Sequence, residues 1–208
     1  MYLGRRHFLG AIAGSAASLF MPRDLAQAIA PQPEHLPAGA DRSVLLSRAL
    51  AALQQHHDRV ASRDVIGIVD FSAPSRLPRF QLVDVAAGKV ISDHLVAHGS
   101  GSDPGNSGWV QRLSNRPGSN ASCSGAFLTG EIYSGKHGRS RRLQGLDTEN
   151  SMASSRGIVI HAARYVAPDL AESQGRVGRS QGCFAVSADD IAHVLERLGP
   201  GRLLFAAR

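Results

Sequence analysis

The sequence predicts a mainly β fold with helices only at its flanks. Three observations carry that reading. Between Val65 and Phe205 the apolar residues fall mostly in short runs separated by Gly, Pro, Ser and Asn. Three- and four-residue apolar spacing is confined to Ser43–Val60 and Ile191–Leu198. The repeated strand–helix alternation of a doubly wound parallel sheet is absent, which excludes that class. At 208 residues the chain holds one domain with a short N-terminal appendage.

The appendage reads as an export signal. Gly4-Arg5-Arg6-His7-Phe8-Leu9 is a twin-arginine pattern. Leu9–Met21 is uncharged and mostly apolar but too short for a stable bilayer anchor. Ala26-Gln27-Ala28 supplies small residues for cleavage. Residues 1–28 are therefore expected to be removed, with the mature chain starting near Ile29 in the periplasm or cell envelope. No stable transmembrane anchor is expected after cleavage; the competing reading is a retained membrane-surface helix. Residues 29–42 carry Pro31, Pro33 and Pro37 without periodicity and read as a linker. The folded domain is expected over 43–208.

Formal charge is +6. The basic excess is nearly all arginine, with Lys89 and Lys136 the only lysines. Such a balance suits an anionic partner such as a cell-wall polymer or a carboxylate-rich peptide. No basic, aromatic-interleaved patch of the kind that binds nucleic acid is present.

Leu46, Leu50, Leu53 and His57 give the first helix its stripe, with Asp41 or Ser43 as cap and His56-His57 on its solvated end. Val65–Asp70 is a buried strand. Phe80–Val85 and Val90–Ala97, joined at Ala87-Gly88, form a hairpin. His94 and His98 would share a face of a regular strand, but no third ligand follows at metal-site spacing. The Gly-, Ser-, Asn- and Pro-rich stretch from His98 to Gly125 is a long loop, with Asn115 and Ser119 as polar candidates for lining a cleft. Ala126–Tyr133 and Arg139–Leu146 are strands around the Ser134–Gly138 turn. Gly157–His161 is a buried strand ending in histidine. Ser187 and Asp190 resemble a capping box before the last helix, and Leu203–Phe205 is a closing strand.

The chemistry concentrates in Gly178-Arg179-Ser180-Gln181-Gly182-Cys183 and the strand ending in His161. A thiol requires a base to become a nucleophile, and glycine before it allows a sharp turn and close approach of a substrate. Cys183 also admits the reading of a small buried apolar residue, and His161 that of a hydrogen-bonded core residue. Cys123 and Cys183 are the only cysteines. A disulfide would silence the nucleophile, so two free thiols are expected. No cofactor or metal is expected, and no oligomeric state is read from the sequence.

Gly135–Gly138, Ile158–His161 and Gly178–Cys183 together resemble the murein L,D-transpeptidase catalytic domain, in the branch with Gly-Lys-His-Gly, Ile-Val-Ile-His and Gly-Arg-Ser-x-Gly-Cys. The resemblance covers His98–Phe205. It implies a β-sandwich-like fold and an enzyme acting on peptidoglycan stem peptides. It implies Cys183 as nucleophile, His161 as general base, and the Gly182 and Cys183 N–H groups as oxyanion donors. Arg179, Ser180, Gln181, His137 and Tyr133 would shape the site or meet substrate. The better-known branch carries His or Arg where this chain has Gln181, and Arg or Asn where it has Ala185. The group that orients His161 is left open, a backbone carbonyl being one choice. Transfer to an amine, transfer to water, and a non-catalytic wall-binding module remain alternatives.

Overall fold

The computed structural model describes residues 38–208, with side chains from Ser43 onwards. The export signal and most of the linker expected before Ser43 lie outside the described residues.

Helix α1 (Ala38–Gln55) takes in Asp41 and Ser43, expected as caps, and stops short of Val60. It buries Leu45, Ala49, Ala52 and Leu53, while Leu50 is 39% exposed. The helix offers two overlapping apolar faces, and the one with alanines seats closer to the sheet. His56, expected in solvent, is hydrogen-bonded to Asp147 at 2.8 Å.

Nine strands follow: β1 (Val65–Asp70), β2 (Phe80–Asp84), β3 (Lys89–His94), β4 (Val96–Ala97), β5 (Gly125–Gly135), β6 (Gly138–Gly145), β7 (Val159–Ala162), β8 (Phe184–Val186) and β9 (Leu203–Ala207). Two short helices, α2 (Pro168–Gln174) and α3 (Ile191–Arg197), lie between the last three. The strands form one sheet in the order β3-β2-β1-β9-β5-β6-β7-β8-β4, antiparallel except for β1–β9 and β7–β8.

The sheet rolls over on itself. Its two edges, β3 and β4, are separated in sequence by Leu95 alone. Phe71, at the end of β1, stacks on Phe184 of β8 with centroids 5.9 Å apart. Five steps across a flat sheet would separate them by about 24 Å. The rolled sheet encloses an aromatic core of Phe71, Phe80, Phe127 and Phe184. Its outer face carries a second core under α1, with Ile66, Ile68, Val83 and Leu203. Strand β9 alternates between the two, which is why it reads as a continuous apolar run. This is the mainly β arrangement that the sequence pattern predicts, in the sandwich-like form that the family resemblance implies. Among the described residues no helix is long and apolar enough to cross a membrane.

The break at Leu95 separates His94 from His98. His94 turns toward Ser92 (2.9 Å) and Asp190 (3.1 Å). His98 is buried between Arg79 (2.7 Å) and Asp103 (3.3 Å).

Candidate active site

Parallel pairing of β7 with β8 sets Ile160 beside Phe184 and His161 beside Ala185. Ile160 and Phe184 point into the core. By strand alternation His161 and Cys183 therefore share the other face as diagonal neighbours. Both open onto a cavity of about 870 Å³. The pairing brings the two residues together across 22 positions of sequence.

His161 is 2% exposed, and its Nδ1 lies 2.8 Å from the Ala162 carbonyl. A carbonyl only accepts, so Nδ1 carries the proton and the neutral ring keeps its lone pair on Nε2. The orienting group left open by the sequence is thus a backbone carbonyl. Burial holds the imidazole below its ordinary range, the Ala162 bond opposes this, and His137 and Lys136 add to the downward push. Burial pushes the Cys183 thiol up, against the Val159 N–H, Lys136 and Arg156. Both shifts favour the neutral forms, thiol and imidazole, with the S–H donating weakly to the Gly157 carbonyl at 3.5 Å. Cys123 is also free, fully buried, and raised by that burial.

The turn before Cys183 is held from behind. Ser180 N–H donates to His98 O (2.9 Å), and Ser100 N–H donates to Ser180 O (2.8 Å). Ser180 Oγ accepts from Gly182 N–H (3.1 Å) and donates to Cys183 O (2.7 Å). The Gly182 N–H expected to meet an oxyanion is therefore engaged by Ser180, and Ser180 braces the turn. Gly182 has φ +115°, and a Cβ there would meet Ala121 O at 2.8 Å, so glycine is required on both counts.

Arg179, Gln181, Tyr133 and His137, the site residues implied by the resemblance, also line the cavity. Arg179 is tied by Nη1 to the carbonyls of Asp103 and Pro104. Gln181 is exposed at the rim. Tyr133 lies on β5 with Arg142 over its ring at 4.3 Å. His137, at the two-residue tip of the β5–β6 hairpin, stacks on His161 with centroids 4.2 Å apart. Asn115 does not line the cavity; it clamps the loop to Thr148 O, Ser151 Oγ and Met152 N. Ser119 also stays out, while its neighbours Gly118 and Asn120 contribute.

Sequence reasoning missed Lys136, Arg156 and Tyr165 as lining residues. Tyr165 is pushed up to about 12 by burial, with Cys183 adding to the shift, and its carbonyl accepts from Gly178 N–H at 2.7 Å. The only sequence signal for it was an aromatic closely following His161.

The sequence profile of the L,D-transpeptidase catalytic domain matches residues 39–207. No curated protein sequence matches the chain. Among solved structures, an L,D-transpeptidase from Mycobacterium smegmatis is 15% identical over 70% of this chain and 59% of its own, with a TM-score of 0.43. One from Xylanimonas cellulosilytica is 16% identical over 77% and 69%, with a TM-score of 0.42. A variant of the helical cell shape determining protein from Campylobacter jejuni is 10% identical over 83% and 57%, with a TM-score of 0.48. The chain thus spans 59% of the Mycobacterium protein's length and 57% of the Campylobacter protein's.

Proposed function

The chain belongs to the L,D-transpeptidase catalytic domain family, and from that premise we propose that it transfers peptidoglycan stem peptides through an acyl-enzyme on Cys183. The observation that carries this reading is the pair itself: His161 and Cys183 are diagonal neighbours on one face of paired strands and open onto one cavity.

The steps follow from the protonation states. The thiol rotates from the Gly157 carbonyl to His161 Nε2 and gives up its proton. Sγ attacks the carbonyl carbon of the bond between diaminopimelate and the terminal D-alanine. The oxyanion meets the Cys183 N–H, while Gly182 and Ser180 fix the turn that presents it. The imidazolium protonates the departing D-alanine nitrogen, leaving a thioester. An amine of a second stem attacks the thioester and gives its proton to His161, and the sulfur leaves and is reprotonated. In the same reading residues 1–28 direct export of the protein to the cell envelope.

Incubation with tetrapeptide-stem muropeptides, followed by intact mass spectrometry, tests the proposal. The expected result is an adduct on Cys183, released D-alanine and a cross-linked product. D-Alanine release with no cross-link would make water the acceptor. An unmodified thiol and no release would overturn the enzymatic reading.

A further inference from the structure

Three cations line the cavity, Lys136, Arg156 and Arg179, and no carboxylate does. Two of the three are committed to the fold. Arg156 donates from Nη1 to Ser114 O at 2.7 Å and from Nη2 to Ala121 O. Arg179 holds the Asp103–Pro104 backbone. Lys136 is exposed and, among the described residues, makes no hydrogen bond or ion pair. It sits with His137 on the two-residue hairpin tip, and the stack of His137 on His161 seats that tip over the reacting pair. Its charge bears on both Cys183 and His161.

The position two residues after the cysteine offers no cation, because Ala185 is apolar and fully buried. A donor cleaved next to its last residue presents a carboxylate close to the bond that breaks: the leaving D-alanine carries it on the carbon attached to the scissile nitrogen. In a longer stem that position is a neutral amide. An exposed ammonium lining the same cavity as the thiol, with no partner of its own among the described residues, is complementary to the first and indifferent to the second.

We infer that Lys136 recognises the terminal carboxylate of the leaving residue and so restricts the site to a bond one residue from a free C-terminus. The inference rests on the acyl-enzyme reading above and adds to it the group that selects the donor.

Steady-state release from a tetrapeptide stem and from its C-terminal amide tests it, on the wild type, Lys136→Gln and Lys136→Arg. A charge-assisted hydrogen bond corresponds to a preference of ~10- to 100-fold. The wild type is expected to favour the free acid by that factor in kcat/KM, mostly through KM. Lys136→Gln should bring the two substrates within about threefold by slowing the acid far more than the amide, and Lys136→Arg should restore most of the preference. An acid-to-amide ratio that survives Lys136→Gln overturns the inference, as does equal slowing of both substrates. Release from neither substrate by the wild type overturns the acyl-enzyme reading and this inference with it.

Discussion

His137 stacks on His161 with ring centroids 4.2 Å apart and planes inclined by 22°. The tip of a hairpin thereby fixes the face of the proposed base, in addition to the Ala162 carbonyl that fixes its tautomer. An aromatic stack of this kind contributes ~0.5–1.5 kcal/mol. His137→Ala is expected to lower kcat/KM by about tenfold, and His137→Phe to recover most of the loss because it keeps the stack. Both variants remove a group that pushes the His161 imidazole down, so the acid limb of the rate profile should move to higher pH. A pH–rate profile for the three proteins checks both points. Full activity in His137→Ala would remove the stack from the mechanism.

Ser180 is 6% exposed and joins Gly182 N–H to the Cys183 carbonyl. Ser180→Ala leaves both groups buried without a partner, a loss of ~2 kcal/mol in stability. We expect a lower urea midpoint and a kcat reduced about tenfold as the turn loosens. If the Gly182 N–H were instead the main oxyanion donor, freeing it would sustain or raise kcat, and that outcome would refute the bracing role.

His98 lies fully buried between Arg79, whose Nη2 donates to its Nδ1, and Asp103, which accepts from its Nε2–H. Burial pushes the imidazole down to about 4, Arg79 adds to this, and Asp103 pulls the other way. The unfolded chain therefore binds a proton between pH ~6.5 and 4 that the folded chain refuses, so stability falls as pH falls through this window. Between pH 7 and 5 the expected contribution is about 2 kcal/mol. His98→Gln should be less stable at pH 7 and show a flatter dependence down to pH 5, read from urea denaturation at each pH. An unchanged slope would place the acid sensitivity elsewhere.

The reading of residues 1–28 as a twin-arginine export signal is itself open to test. Changing Arg5 and Arg6 together to lysine should leave precursor in the cytoplasm, detected by fractionation and immunoblot. Unchanged export would exclude the twin-arginine route.

The candidate pair, which the fold brings to one cavity, was legible in the sequence because each member announces itself locally. His161 ends an apolar run, and Cys183 follows a glycine whose φ is +115°. The rest depended on how the sheet closes. Val90–Ala97 reads as one strand, since nothing at Leu95 resembles a breaker. The chain nonetheless crosses there from one sheet edge to the other, and His94 and His98 end in separate polar clusters. Helix α2 had Pro168 at its start and left-handed Gly175 at its end, but its seven residues show too little periodicity to register. Lys136, Arg156 and Tyr165 meet in the cavity from three separate turns, which no spacing rule links.

The protonation states of Cys183 and His161 make the last prediction. Burial raises the thiol and lowers the imidazole, which favours the neutral pair over a thiolate–imidazolium pair at rest. Alkylation of Cys183 in the wild type should rise continuously with pH through the alkaline range, with no plateau near neutrality. His161→Gln should slow alkylation at neutral pH, where the imidazole assists proton removal, and approach the wild-type rate at high pH, where solvent takes the proton. Turnover should behave differently. General-base help contributes ~10²- to 10⁴-fold, and D-alanine release in His161→Gln should fall by that much. High pH should not restore it, because the same group must protonate the leaving nitrogen and then deprotonate the incoming amine. Cys183→Ser should abolish turnover, a hydroxyl being a far weaker nucleophile, whereas Cys123→Ser should retain it. The decisive measurement is the alkylation rate against pH. A neutral plateau in the wild type that disappears in His161→Gln would establish a resting ion pair and replace the general-base step proposed here.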